Sequence, residues 1–215
     1  YVDEWDNMSN LFTNVHPLVW EKERAGWVTA HGSQITYIPR PPTGGSYTGQ
    51  NPISLFFQES TNQNRKAIAI GLTQGAATLA QEQAFYFVEA RSNGLGGFDD
   101  GLPGTGVLIY YVNELIKQGQ GPVILQDRAP GTGSLGDAFF QIGDSRAIPG
   151  TGITITVQAG TGGADFNIQL AYVPPVTDYN LSITKGDTID GEFIPWFSPD
   201  IWIDSPRNGF DLGSG

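Results

Sequence analysis

With 215 residues the chain can bury one sizeable core, or a β-domain with short appendages, so a single domain is the default. Its 29 Gly and 14 Pro, against 15% charged residues, favour turns and short strands over helices. A formal net charge of -11, with scattered Lys and Arg, makes nucleic acid and anionic lipid poor partners, and the lack of any cysteine excludes disulfides, thiolate nucleophiles and Cys-built zinc sites.

Taken in order, Tyr1 to Trp27 is the one place where a helical period competes. Pro17 suits a first turn, and Leu18, Val19, Trp20 and Ala25 alternate with charged Glu21, Lys22, Glu23 and Arg24 to give a helix of about two turns that ends at Gly26. Strands are then expected over Gln34 to Pro39, Ile53 to Phe57 and Lys66 to Leu72, with a Pro/Gly connector after the first. LTQGAATLAQEQ reads as a loop in preference to a helical turn.

The centre of the chain is Ala84 to Tyr111. In AFYFVEAR the residues Phe85, Phe87, Glu89 and Arg91 point to one strand face and Tyr86, Val88 and Ala90 to the other, a period of two that is apolar on both sides and marks a buried central strand. VLIYYV repeats the signature. Ser92 to Thr105 between them is too long for a tight hairpin and too rich in Gly, Asp and Pro for helix, so it is a shaped surface loop. Glu89 and Arg91 stand roughly 7 Å apart on one face, and a charge-paired buried strand is the reading preferred over a binding role. Further strands follow at Pro122 to Gln126, Ala138 to Ile142, Ile153 to Ala159 and Asp165 to Val173, the last two joined by a TGG turn whose glycines can take positive φ. About nine short strands argue for an all-β fold, an antiparallel β-sandwich with a short N-terminal helix and an extended C-terminal tail. Beyond Pro174 the tail carries an aromatic cluster of Phe193, Trp196, Phe197 and Trp202.

Catalytic chemistry is poorly provided for. His16 and His31 are the two histidines, one beside Pro17 and one in the turn HGSQ, and both read as exposed structural residues; no G-x-S-x-G or phosphate loop occurs, and no dinucleotide fingerprint is placed between a strand and a helix. Calcium is the one cofactor considered. Asp99 and Asp100 in the glycine-rich loop, with Asp144 or Asp137 from later loops, offer hard oxygens on a flexible backbone, against the competing assignment of turn capping. Asp187, Asp190 and Glu192 form a weaker cluster.

FYFVEAR followed by GFDDGLPGTGVLIYYVNE resembles the region after the catalytic domain in secreted zinc metalloproteases of the immune inhibitor A type. There an E-x-R strand precedes a G-F-D-x-x-L-P-G-x-G segment that ends in a His and an Asp, where this chain has Tyr111 and Asn113. WDNMSN is similar to the Met-turn of that family, HPLVWEKERAGW to the helix after it, and SPDIWIDSPRNGFD to a segment beyond the β-domain. The resemblance implies that residues 1–30 are a remnant of a catalytic domain, 31–174 a β-sandwich and 175–215 an extended aromatic tail. It further implies that Met8 floors a zinc pocket whose ligands lie upstream. This chain has no H-E-x-x-H and two His in all, so no zinc site is expected within it, and alone it is not expected to be a protease.

The expected role is therefore a non-catalytic β-sandwich that positions substrate, supports structure or mediates interaction in a secreted or cell-surface metalloprotease, with an upstream catalytic domain as partner. Its alternative is a self-assembling extracellular surface or filament subunit, a homo-oligomer joined through the aromatic terminal segments. No nucleic acid partner and no membrane insertion are expected.

Overall fold

The computed structural model describes residues 5–6, 15–28, 34–42, 44–47, 51–60, 64–117 and 120–174, and the backbone of two short strands in the tail. Met8, His31, Asp187 and Asp190, the side chain of Glu192 and the tail aromatics lie outside the described residues. Tyr1–Pro175 forms one compact unit and Val176–Gly215 a second; in the latter β10 (Thr188–Ile189) pairs antiparallel with β11 (Glu192–Phe193).

The first unit is built from two sheets. Strands β1 (Ile35–Arg40), β3 (Ala67–Gln74), β4 (Ala84–Arg91), β5 (Gly106–Asn113) and β6 (Val123–Leu125) form a five-stranded sheet in the order β1-β3-β4-β5-β6. Strands β2 (Ile53–Leu55), β7 (Ser145–Ile148), β8 (Ile153–Ala159) and β9 (Phe166–Tyr172) form a four-stranded sheet in the order β2-β9-β8-β7. Mostly β with nine strands, the fold matches the expected class. One ladder departs from the antiparallel expectation: β1 runs parallel to β3, with Ile35 opposite Ala67 and Ile38 opposite Ile70. The 26 residues between the two strands leave that sheet through β2, so the chain returns from the opposite layer in the same direction.

β4 and β5 form the centre, paired from Ala84 opposite Asn113 to Arg91 opposite Gly106. Their alternation sorts two cores. Tyr86, Val88, Ala90, Val107 and Ile109 face the second sheet and meet Ile153, Ile155, Val157, Phe166, Ile168 and Leu170 there. Phe85, Phe87, Leu108, Tyr110 and Val112 face the other way and are covered by Trp5, Val15, Leu18, Val19 and Trp20. That cover is an N-terminal arm, residues 5–6 and 15–28, with a helix α1 (Val19–Arg24) closed by Gly26 at φ 74°. A period-two strand buried on both faces requires such a third layer.

Two expected details differ. Ala138 to Ile142 makes a single bridge, Phe140 to Val107, instead of a strand, and Ser145–Ile148, where no strand was expected, is β7. The LTQGAATLAQEQ loop holds a 3-10 turn at Leu79–Gln81 with a Thr78 and Gln81 capping box. The TGG turn joins β8 to β9 as expected, with Gly162 at φ 63° and Gly163 at φ 87°.

Candidate functional site

The outward face of β4 carries two charges into an apolar layer. Glu89 and Arg91 are both 0% exposed, and Asp99 arrives from the 92–105 loop equally buried, on a 3-10 turn at Phe98–Gly101. Isolated buried charges are prohibitive, so these three must satisfy one another. Arg91 donates from Nε to Asp99 Oδ2 at 2.7 Å and from Nη2 to Asp99 Oδ1 at 2.6 Å, a bidentate pair, and from Nη1 to Glu89 Oε1 at 3.1 Å. The buried, charge-paired strand read from Glu89 and Arg91 is thus present, with Asp99 as its third member.

What remains of their bonding capacity goes to the main chain of the arm. Arg91 donates to the carbonyls of Trp5 at 3.2 Å and His16 at 3.0 Å. Asp99 Oδ1 accepts the His16 amide at 2.9 Å, and Glu89 Oε2 accepts the Val19 amide at 2.8 Å together with the Tyr110 hydroxyl at 2.7 Å. Gln58 completes the ring, donating to Glu89 Oε1 at 2.8 Å and receiving Lys22 Nζ. Trp5 anchors the start of the arm by donating its indole N–H to the Leu135 carbonyl at 2.6 Å, its ring against Phe139. We call this constellation the clamp.

Its electrostatics follow from burial and pairing. Burial alone would raise the Asp99 carboxyl, but the hydrogen bonds and charge of Arg91 outweigh it and hold Asp99 below its ordinary value. Tyr110 is pushed well up by burial and by the Glu89 carboxylate, so it stays a donor. Burial and then the Arg91 charge bring Lys22 down to about 8. His16 is half-buried rather than exposed, its ring 5.4 Å from Phe98 and its Nε2 3.5 Å from Glu59 Oε1; burial and the Lys22 ammonium keep its imidazole below the usual value. Glu59 in turn accepts the Asp99 amide at 2.8 Å.

The four loop residues considered for calcium do not come together, and Asp137 accepts the Thr132 hydroxyl at 3.2 Å. Asp99 has both oxygens on Arg91, Asp100 accepts the Gly96 amide at 3.0 Å, and Asp144 pairs with Arg128 and accepts the Gln141 amide at 2.7 Å. Among the described residues no group of three or more His, Asp or Glu is placed to hold a metal ion. The geometry gives the calcium expectation no support, and each of the four does turn or ion-pair work. Millimolar calcium is accordingly expected to leave the melting temperature unchanged; a rise that follows calcium concentration would show that a native-state site exists after all.

Gln58, Glu59 and Tyr110 belong to the clamp without having been singled out in the sequence. Glu89 and Arg91 cancel on the strand face, so the sequence shows no surplus charge there that would call for Asp99, Gln58 or Tyr110 as further partners. No family model matches the chain, and neither a curated protein nor a solved structure does.

Proposed function

We propose that this chain is the non-catalytic β-sandwich that follows the zinc site in a secreted metalloprotease of the immune inhibitor A type, and that its task is to grip the segment leading out of the catalytic domain. One observation carries the reading. The residues on which the resemblance rests, the E-x-R pair Glu89 and Arg91 and the Asp99 of GFDD, are those that bind the main chain at Trp5, His16 and Val19, within the stretch resembling a Met-turn and its following helix. A clamp made of charges and aimed at main-chain groups fixes a path for the chain whatever the side chains it carries. Rigid attachment of that path would hold the floor of an upstream zinc pocket steady, a positioning role rather than a chemical one.

The purified chain is expected to cleave no protein substrate with or without added zinc, because it lacks the ligands for a zinc site. Chelator-sensitive proteolysis by the pure chain would overturn this. The decisive test is the coding sequence upstream of Tyr1: an H-E-x-x-H codon run there supports the reading, and a gene without one favours the structural-subunit alternative.

A further inference from the structure

We propose that the cavity between the two sheets, bounded by β1, β2 and β9, binds a small aromatic carboxylate, its ring on the apolar walls and its oxygens at Tyr47 and Arg40. The walls come from both layers: Ile38 of β1 on one side, Ile53 of β2 and Leu170 of β9 on the other, with Pro41 and Tyr47 from the connector after β1. The three aliphatic residues are core members at 3–4% exposure, so the cavity reaches the edge of the inter-sheet core. Its volume is about 210 Å³ and it opens to solvent. An apolar cavity of about 150 Å³ takes a benzene ring, so this one admits a ring with a short substituent and falls short of the roughly 300 Å³ at which drug-sized pockets begin.

Two polar groups give the cavity its chemistry. The Tyr47 hydroxyl is buried and has no hydrogen-bond partner among the described residues, a state that native structures rarely leave unexplained. Burial, then Tyr172, whose ring stands 6.2 Å away, keep this hydroxyl protonated well above the ordinary tyrosine range, so it is a donor that calls for an acceptor. Arg40 supplies the charge. Its Nη1 donates to the Leu72 carbonyl at 3.1 Å, and a guanidinium carries five N–H donors, so one carbonyl does not exhaust it. A carboxylate is the group that accepts from an O–H and a guanidinium together.

The site is also built ahead of its ligand. The pairing of β1 with β3 shifts register between Ile38 and Arg40, around Pro39, and a shift of that kind re-aims the side chain that follows it. Asn51 stands in for a strand beside Leu170: its side chain donates to the Leu170 carbonyl at 2.6 Å, accepts the Leu170 amide at 2.9 Å and reaches the Tyr47 carbonyl at 3.4 Å. Tyr47 is thereby tied to β9, and little ordering is left to oppose binding. The inference is independent of the metalloprotease reading, since no residue of the clamp lines this cavity.

Titration of the full chain with sodium benzoate, followed by amide proton–nitrogen NMR, tests it. The expected result is saturable shifts at the amides around Arg40, Tyr47 and Leu170, with a dissociation constant on the order of 1 mM, the scale open to so small a ligand. Tyr47→Phe keeps the ring, removes the donor and is expected to weaken binding roughly tenfold. Arg40→Gln should weaken it by a like factor, and benzyl alcohol, neutral and of similar size, should bind the wild type roughly tenfold less tightly than benzoate does. A wild type without saturable shifts in the millimolar range, or with shifts away from these residues, overturns the proposal. So does a Tyr47→Phe variant with wild-type affinity, or benzyl alcohol bound as tightly as benzoate, which would make the cavity an apolar pocket without anion recognition. Should Tyr47→Phe fail to fold, Arg40→Gln decides: an unchanged affinity there overturns the carboxylate assignment.

Discussion

Arg91→Met is expected to lower the stability of the compact unit by about 3–5 kcal/mol, the usual cost of removing one partner from a buried ion pair. The reason is the company left behind. Glu89 and Asp99 would keep two negative charges at 0% exposure with no cation between them, and the carbonyls of Trp5 and His16 would lose their donor. Urea titration read by tryptophan fluorescence and by far-ultraviolet circular dichroism measures it. Two separate transitions, arm first and sheets second, would indicate that the arm detaches as its own cooperative unit. A loss below about 1 kcal/mol would put Arg91 among ordinary surface pairs and remove the basis of the clamp. Replacing Glu89, Arg91 and Asp99 together by apolar residues of similar volume is expected to be far milder, because no charge is then stranded.

Asp99→Asn and Asp100→Asn, one residue apart, are expected to differ sharply. Asp99→Asn should cost about 3 kcal/mol, since a bidentate carboxylate at the Arg91 guanidinium becomes a neutral amide with one oxygen. Asp100→Asn should stay within about 0.5 kcal/mol, the range of surface substitutions. Equal effects would mean that the loop, rather than the ion pair, is what matters. The pH dependence adds a second check. Because Arg91 holds Asp99 below its ordinary 3.8, its contribution is present above that value and is lost as pH falls through the lower folded-state one. Thermal melts from neutral pH into acid should therefore show an acid limb in the wild type that is flattened in Asp99→Asn.

Much of this architecture is legible in the order of the residues. The alternation in AFYFVEAR puts Phe85 and Phe87 on one face and Tyr86, Val88 and Ala90 on the other, as the two cores have them, because a strand has a fixed period of two and both of its faces are buried. The TGG turn was readable for the same local reason. What escaped is non-local. Nothing in ITYIPR states that it pairs parallel with AIAIGLTQ, since its neighbour is chosen by a crossover through the other sheet. AFFQI has the composition of a strand but is held by one bridge, as Phe140 is the lone residue bonded across to Val107. At the site, the pairing of Glu89 with Arg91 followed from their spacing, whereas Asp99 looked like a calcium ligand because an acidic glycine-rich loop suits either use. Only the direction of the Arg91 side chain decides between them.

The clamp also fixes an order of events on the ribosome. Trp5, Val19 and Trp20 leave the exit tunnel before any of β4 or β5 exists, and the groups that bind them, from Gln58 to Tyr110, are translated afterwards. At 5–20 residues per second the arm waits on the order of ten seconds with its tryptophans uncovered. During that interval it is an apolar peptide in search of a surface. A nascent chain of this kind is a natural client for ribosome-associated chaperones, and slowing translation between Trp27 and Ala84 would lengthen its exposure while leaving the finished fold unchanged.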